Sequence, residues 1–214
     1  MKLQVIARIE NGFPEKFGLP RQSGLIQELK SRIVFEKEFA REEMIRGLEE
    51  FSHIWLIWGF SESEGWSPTV RPPRLGGNKR MGVFATRSPF RPNGLGLSAV
   101  RLEQIEQGAL VVSGADLMNG TPIYDIKPYL PFADSYPDAK GGFAQQVMDY
   151  RLKVVFEETG DLSEEQKIAL TKVLEQDPRP GYQDDPHRIY SFSFHRFTVK
   201  FRVEQGVAIV VEVV

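Results

Sequence analysis

Short apolar segments separated by glycine and proline make up most of residues 1–156. They are rich in β-branched and aromatic residues, which favour strands, and turn residues separate most of them. We distinguish the segments LQVIARIE, SRIVFEKE, HIWLIWGF, MGVFAT, LSAVRLEQIE, ALVVSGAD and VMDYRLKVVF. Strands this short, with few helices between them, predict a mainly β fold, either a barrel or a closed, strongly curved sheet, rather than a doubly wound α/β sheet.

The third of these segments, HIWLIWGF, is apolar on both faces of the predicted strand. This pattern indicates a strand that is covered on both sides or that lies at a subunit contact. A helix candidate, REEMIRGLEEF, precedes it. Gly47 lies inside that candidate, so we expect a weak helix or one that ends early.

Residues 157–214 are predicted to form a second, small α+β unit. Ser163 followed by Gln166 has the pattern of a capping box, and Pro178 should stop the helix that follows. The apolar face of this helix is expected to contain Ile168, Val173 and Leu174. A hairpin should follow around Gly206. Its buried face is expected to alternate, with Phe197, Val199, Phe201 and Val203 against Val207, Ile209, Val211 and Val213.

Charge is distributed unevenly along a chain whose formal net charge is -2. Between Glu64 and Glu103 there is no acidic residue, and we call residues 65–102 the acid-free segment. The cations of this segment are Arg71, Arg74, Lys79, Arg80, Arg87, Arg91 and Arg101. A segregated positive patch is expected to bind phosphate or another anion. The alternative is that several of these arginines pair with acids that are distant in sequence.

Several classes of site find no support in the sequence. The chain has no cysteine, which excludes disulfides, iron-sulfur clusters and a thiol nucleophile. His53, His187 and His195 lack metal-ligand spacing, so we expect no bound metal. The segment GLGLSA fits G-x-G-x-x-A but leads into a predicted strand instead of a helix, so a Rossmann site is not expected.

The start of the chain does not have the pattern of a signal peptide, and no apolar run reaches the ~18 residues that a membrane helix needs. We therefore expect a soluble, cytoplasmic protein.

Two stretches rich in turn residues carry side chains suited to binding. In RPPRLGGNKRMGVFATRSPFRPNG, Arg87 and Arg91 lie in a stiff loop and offer rigid forks for carboxylate or phosphate. The second stretch, ADLMNGTPIYDIKPYLPFAD, contains the acids Asp116, Asp125 and Asp134 and the rings Tyr124, Tyr129 and Phe132, which could cover an aromatic base. The alternative is a pair of plain surface loops. Paired carboxylates at 116 and 125 would also suit a hydrolase, although the chain has no G-x-S-x-G motif.

The chain resembles the TsaA-like family of tRNA methyltransferases. The resemblance rests on GVFATRSPFRPNGLGLS with the preceding RPPRLGG, and on KFGLPRQSGL, LEEFSHIWLIWGF, GADLMNGTPIYDIKPYLPFADS, LEQDPRPGY and DPHRIYSFSFHRFTVKF, in order along nearly the whole chain. It implies a single-sheeted β-barrel that binds S-adenosylmethionine without a Rossmann fold, as a homodimer. The implied reaction is methylation of N6 of threonylcarbamoyl-adenosine beside the anticodon of tRNA-Thr that reads ACY codons. Residues 1–156 would bind the cofactor and residues 157–214 would contact tRNA.

The resemblance also implies site residues. The cofactor-binding set carried over from its motifs is Pro20, Arg21, Gln22, Gly59, Phe60, Arg87, Leu97, Asp116, Leu117, Met118 and Asn119. The family more often has Asp where Asn119 stands, which removes a charge and keeps a hydrogen-bond acceptor. The substrate is assigned to Arg91, Lys127 and Tyr129, with Arg179, Arg188 and Arg196 holding the anticodon arm.

Asp125 is the candidate carboxylate to take the proton of N6. The rival hypotheses are a regulator that binds S-adenosylmethionine or tRNA without turnover, and a hydrolase that does not bind the cofactor.

Overall fold

A closed antiparallel barrel of six strands forms the first part of the computed structural model, which describes residues 2–72, 75, 79–147, 150–179 and 185–214. Its strands are Ala7–Glu10 (β1), Lys30–Phe35 (β2), His53–Gly59 (β3), Leu95–Glu106 (β6), Ala109–Ser113 (β7) and Pro122–Pro128 (β8). Their order around the barrel is β1, β2, β7, β6, β3, β8, and pairing of β8 with β1 closes it. The predicted mainly β fold with a single-sheeted barrel is confirmed.

Short elements lie between the barrel strands and after the last of them. They are the helices Glu42–Ile45 (α1) and Pro131–Asp134 (α2), the 3-10 turns Leu48–Glu50, Val83–Ala85 and Gly142–Val147, and a small hairpin of Thr69–Val70 (β4) with Met81–Gly82 (β5). The helix candidate ends early, as predicted, because Gly47 adopts a φ of 85° after Ile45. GLGLSA runs into β6, so its interpretation as a strand is also confirmed.

The barrel core consists of the inward-facing residues of these strands. Ile54, Leu56 and Trp58 alternate along β3 and are buried, whereas Trp55 and Ile57 on the outer face remain partly exposed. This alternation is typical of a strand with one face in the core. Within one chain, HIWLIWGF is therefore fully covered on only one of its two apolar faces.

Some predicted strands have different bounds in the structure. MGVFAT is a strand only at Met81–Gly82 and continues as a 3-10 turn, so most of that prediction is wrong. Within PIYDIKP, predicted as a turn-rich loop, the structure has β8. The prolines stand at the first and last positions of β8, where a missing N–H costs the sheet least. Between them Ile123, Asp125, Ile126 and Lys127 pair with β3, with an irregularity at Tyr124.

A second sheet with the order β10, β11, β12, β9 forms the C-terminal unit together with one helix. Its elements are Lys153–Phe156 (β9), Glu164–Glu175 (α3), Tyr190–Phe194 (β10), Phe197–Glu204 (β11) and Val207–Val213 (β12). The capping box is present, since Ser163 Oγ accepts from Gln166 N (3.3 Å) and Gln166 Oε1 accepts from Ser163 N (3.0 Å). The helix ends at Glu175, shortly before Pro178.

Two details of this unit were predicted incorrectly. Ile168 is 48% exposed, and the buried face of α3 is Ala169, Leu170, Val173 and Leu174. Ile168 precedes Val173 by five residues, which places it about 140° away around the helix. On β12 the buried residues are Ala208, Val210 and Val213, because the two-residue turn pairs Val203 with Ala208 and a bulge shifts the later register.

The barrel and the C-terminal unit share packing. β9 lies before residue 156, where the predicted boundary stands, yet it pairs in parallel with β12 of the C-terminal sheet. Phe13, Ile26 and Leu29, from the connection between β1 and β2, pack into the core formed by α3 and β10–β12. This connection, which carries Pro20, Arg21 and Gln22, is therefore held by the C-terminal unit. No helix among the described residues has both the length and the hydrophobicity needed to cross a membrane.

Candidate active site

A chain of hydrogen bonds runs from the barrel interior to the loop after β7. The indole N–H of Trp58 donates to Ser98 Oγ (2.9 Å), and the Ser98 hydroxyl donates to Asp116 Oδ1 (2.5 Å). Ser98 is buried because it faces inward on β6. A Cβ at Gly96 would lie 2.2 Å from the Trp58 ring, so glycine at this position leaves room for the indole. These hydrogen bonds fix the orientation of the Asp116 carboxyl group.

Burial raises the pKa of Asp116 above its ordinary value. Hydrogen bonds from Ser98 and from the backbone N–H groups of Asp116 and Ser23, together with the positive charge of Arg87, act in the opposite direction and only partly offset the burial. A carboxyl group whose ionised form is unfavourable in the fold is characteristic of a functional site.

We expect Asp116→Asn to raise the melting temperature near pH 8. The folded pKa of Asp116 exceeds the unfolded one, so the ionised carboxylate costs stability, and the neutral amide does not. In a chain of this size each kcal/mol gained raises the melting temperature by about 2 to 4 °C. The difference should shrink as the pH falls through the pKa of Asp116, because the wild-type carboxyl group then becomes neutral as well.

Thermal melts of both proteins across this pH range measure the effect, and Asp134→Asn is the control. The pKa of Asp134 is lowered by hydrogen bonds from the Leu130 N–H and the Trp55 indole, so its neutralisation should give no gain. A lower melting temperature for Asp116→Asn near pH 8 would contradict this interpretation of the carboxyl group.

Arg87 connects this group to the segment between β1 and β2. Its Nη1 donates to Gln22 Oε1, and Gln22 Nε2 donates to the carbonyl of Arg21 (2.6 Å). The Arg21 guanidinium donates to the backbone carbonyls of Asp177 and of Arg179 (the latter at 3.1 Å). We name Arg21, Gln22, Arg87 and Asp116 the Arg87 cluster. Its members come from three segments that are far apart in sequence.

The donor set of the Arg87 cluster fits S-adenosylmethionine. The exposed guanidinium of Arg87 suits the carboxylate of an amino acid, and the amide of Gln22 and the carboxyl group of Asp116 can accept from ammonium or hydroxyl groups. Among the apolar residues of the predicted cofactor set, Phe60 is partly exposed and Leu97 is 56% exposed.

Other residues of the predicted cofactor set hold the fold together. Pro20 and Leu117 are buried. Asn119 Oδ1 accepts from Asn11 N (3.0 Å), which ties the loop after β7 to the end of β1. Gly59 has the Tyr124 hydroxyl 2.5 Å from where a Cβ would stand. Phe60 packs edge-on against Trp58 at 4.4 Å between ring centroids, and Met118 is partly buried.

The predicted proton acceptor lies on the outer wall of the barrel. Asp125 pairs with Ile57 across β8 and β3, and its Oδ2 is 2.8 Å from Lys127 Nζ. Tyr129 packs beside Trp55 at 5.4 Å between ring centroids. Asp116, in contrast, bonds to the inward-facing Ser98. No hydrogen bond or ion pair among the described residues joins Asp125, Lys127 or Tyr129 to the Arg87 cluster.

Most cations of the acid-free segment form no ion pair with the acids that the structure describes. In the described part of the chain, Arg101 is the member that forms an ion pair, with Glu103 at 3.4 Å, while Arg74 lies outside the described residues. The alternative that several of these arginines pair with distant acids is therefore not supported. Arg91 is partly buried and donates to the carbonyls of Val83 (3.3 Å) and Thr86 (2.8 Å), so its guanidinium holds a turn.

Two of the three arginines expected to hold the anticodon arm, Arg179, Arg188 and Arg196, remain accessible. Arg188 and Arg196 are exposed and lie over the rings of Tyr190 and Phe197. Arg179 is 8% exposed and forms an ion pair with Asp177 (2.8 Å), so the expectation that its side chain contacts the anticodon arm is wrong. Nowhere in the described ranges do three or more histidine or acidic side chains group so that they could hold a metal ion.

Sequence reasoning missed Trp58 and Ser98. A signal was available for Ser98, because it occupies an inward position on a strand whose other inward residues are apolar, and a buried hydroxyl needs a partner. The contact of Trp58 with Ser98 had no comparable signal, because it depends on the register of β3 and β6.

Two family models match the chain. The model of the tRNA-methyltransferase O N-terminal domain matches residues 8–135, and the model of the corresponding C-terminal domain matches residues 150–214. The two matches together include both units of the fold.

Curated relatives and solved structures agree with these matches. The Escherichia coli tRNA (adenine(37)-N6)-methyltransferase is 41% identical over 94% of this chain and 93% of its own length. The Eikenella corrodens protein of the same name is 49% identical over 75% of this chain and 95% of its own. A Pseudomonas aeruginosa protein whose name describes an S-adenosylmethionine-dependent methyltransferase is 41% identical over 86% of this chain and 85% of its own. The crystal structure of TrmO from Pseudomonas aeruginosa superposes with a TM-score of 0.81 at 32% identity, covering 100% of this chain and 98% of that one.

Proposed function

The chain belongs to the tRNA-methyltransferase O family and is thus an S-adenosylmethionine-dependent tRNA adenine N6-methyltransferase, and we propose that its acceptor is threonylcarbamoyl-adenosine at position 37. The preferred substrates would be tRNA-Thr species that read ACY codons, which follows the resemblance described above. The reaction would convert the threonylcarbamoylated adenosine to its N6-methyl derivative.

The proposal depends on one observation: Arg87, Gln22 and Asp116 lie close together in the fold. These residues come from separate motifs, and a hydrogen bond between Arg87 and Gln22 joins two of them across 65 residues of sequence. A cation, an amide and an oriented carboxyl group together can recognise the amino-acid and ribose groups of a nucleoside cofactor. S-Adenosylmethionine, when bound, supplies an activated methyl group on a sulfonium.

The protein must then hold N6 of the acceptor in line with that methyl group, and correct positioning accounts for much of such catalysis. We assign the Arg87 cluster to cofactor binding, and Lys127 on β8 with Tyr129 just after it to the acceptor nucleoside. Asp125 would take the proton of N6, with Lys127, 2.8 Å away, balancing its charge. N6 of a carbamoylated adenosine is a poor nucleophile, so removal of its proton would help the reaction.

Asp125→Asn is expected to lower kcat by about 100-fold or more, because general-base catalysis typically contributes 10²–10⁴-fold. Affinity for S-adenosylmethionine should stay nearly unchanged, since among the described residues no hydrogen bond or ion pair joins Asp125 to the Arg87 cluster. Single-turnover kinetics and calorimetric titration measure the two effects. Asp138→Asn, a change at an exposed acid, should affect neither quantity. An unchanged rate for Asp125→Asn would remove this residue from the mechanism.

We also propose that the chain works as a homodimer. The support comes from the outer face of the barrel, where Leu97 is exposed beside Ile57, in a row that ends at Asp125. Accessible apolar residues on two neighbouring strands, Leu97 on β6 and Ile57 on β3, fit a subunit contact. Size-exclusion chromatography with light scattering should give twice the mass of one chain, and a monomer at micromolar concentration would contradict this part of the proposal.

The choice of acceptor is tested with three tRNA preparations. They are threonine tRNA that carries threonylcarbamoyl-adenosine, the same tRNA without the modification, and a modified tRNA that does not read ACY codons. We expect methylation of the first alone. Equal methylation of the unmodified tRNA would overturn the proposed acceptor, and equal methylation of the third would overturn the codon preference.

A further inference from the structure

Residues 66–71 and 79–91 form a projection from the barrel, which we call the aromatic–arginine lobe. Its framework is the β4–β5 hairpin, whose two-stranded sheet is separate from the barrel sheet. Backbone bonds from Ser67 N to Phe90 O (3.2 Å) and from Val83 N to Pro68 O (3.0 Å) tie the two ranges together. The Arg91 guanidinium stabilises the turn after β5 by donating to the carbonyls of Val83 and Thr86. The lobe is therefore an ordered surface.

Three aromatic rings of the lobe face solvent. Phe84 is 78% exposed, Trp66 is 64% exposed and Phe90 is 43% exposed. The Arg91 guanidinium lies 5.7 Å from the centre of the Phe84 ring. Scattered exposed apolar residues are ordinary, but several aromatic rings on one small projection indicate a binding surface.

The lobe also carries cations without acidic partners. Arg71, Lys79, Arg80 and Arg87 are exposed, and none forms an ion pair with a carboxylate of the described residues. Ion pairs are common among cations elsewhere, as in Arg8–Glu36, Arg32–Glu106, Lys172–Glu28, Lys200–Glu212 and Arg202–Glu157. Exposed rings interspersed with unpaired cations match the chemistry of single-stranded nucleic acid, whose bases stack on aromatic side chains while its phosphates meet Arg and Lys.

We propose that the aromatic–arginine lobe binds the unpaired nucleotides of the anticodon loop, with bases stacked on Trp66 and Phe84. This inference rests on the proposed function, because it takes tRNA as the substrate. Arg87 belongs both to the lobe and to the Arg87 cluster, so nucleotides held on the lobe lie next to the cofactor residues. A two-fold contact between copies of this chain centred on the lobe would bring these unpaired cations against their own copies, which is unfavourable.

The test compares W66L/F84L with wild type in binding to an anticodon stem-loop RNA. Leucine keeps the side chains apolar and removes the flat faces on which bases stack. We expect the dissociation constant to rise by about 10- to 100-fold, since each base–aromatic contact contributes strongly to such binding. Affinity for S-adenosylmethionine, measured by calorimetry, should be unchanged. W66F/F84Y, which keeps both rings, should bind the RNA within about threefold of wild type.

Ile168→Leu is the matched control, because Ile168 is an exposed apolar residue outside the lobe. Equal RNA binding by W66L/F84L and wild type would overturn the proposal, and so would a change of oligomeric state in W66L/F84L, which would make the lobe a subunit contact. Failure of the proposed function is separable. Suppose that wild type binds the stem-loop but methylates no tRNA, and that W66L/F84L does not bind the stem-loop. The lobe would then be an RNA-binding surface, and the proposed methylation would be wrong.

Discussion

Gly18→Ala should lower the melting temperature by roughly 5 to 15 °C. A Cβ at Gly18 would lie 2.2 Å from the ring of Phe192, which is buried in the core of the C-terminal unit. Overpacking of this kind costs about 1 to 3 kcal/mol, and the φ of 87° at Gly18 adds about 1 kcal/mol or more for any residue with a side chain. A chain of this size loses about 2 to 4 °C per kcal/mol.

The matched control is Gly47→Ala. Gly47 has a φ of 85°, but apart from Gly47 itself and its two chain neighbours, no described atom lies within 4 Å of where its Cβ would be. Gly47→Ala has the strain of a positive φ but no steric clash, so its melting temperature should lie only a few degrees below that of wild type. Thermal unfolding followed by circular dichroism measures both. Equal losses in the two variants would mean that the segment before Pro20 is not held against Phe192 as the structure shows.

Arg87→Ala is the second change with a large expected effect, a fall in affinity for S-adenosylmethionine of about 10- to 100-fold. Hydrogen bonds to a charged group contribute about 1.5 to 3 kcal/mol, and each 1.4 kcal/mol corresponds to a factor of ten. The change also frees Gln22, which accepts from Arg87, and removes the positive charge near Asp116. Isothermal titration with the cofactor, without tRNA, isolates this effect from substrate binding.

Arg80→Ala provides the comparison. Arg80 lies in the same acid-free segment and donates to Thr69 Oγ1 (2.9 Å), with no bond to the Arg87 cluster. Its loss should leave cofactor affinity within about twofold of wild type. If both variants bind the cofactor as wild type does, Arg87 is not a cofactor residue. If both lose affinity equally, the effect comes from the overall charge of the segment.

The barrel could be predicted from the sequence because strand alternation and Gly or Pro between strands are local signals. β8 could not, since its prolines resemble turn signals and its pairing with β3 is a long-range contact. The helix cap at Ser163 was predictable from two residues, whereas Ile168 was assigned to the buried face of α3 although its spacing places it outside.

In the candidate site, too, local motifs could be predicted from the sequence and long-range contacts could not. The motifs identify Arg87, Gln22 and Asp116 separately, and the tertiary fold brings them together. The bond from Ser98 to Asp116 depends on the approach of β6 to the loop after β7. The outward position of Asp125, opposite Ile57, is likewise a property of the barrel wall.

Methyl transfer should be measured directly, with the purified protein, isotopically labelled S-adenosylmethionine and threonine tRNA that carries threonylcarbamoyl-adenosine. The nucleosides are then separated and analysed by mass spectrometry. We predict one labelled methyl group on N6 of the modified adenosine beside the anticodon. If the protein binds the cofactor but the tRNA remains unlabelled, the proposed methyltransferase activity is contradicted and a regulator is favoured. Absence of cofactor binding would contradict it at an earlier step and favour the hydrolase hypothesis.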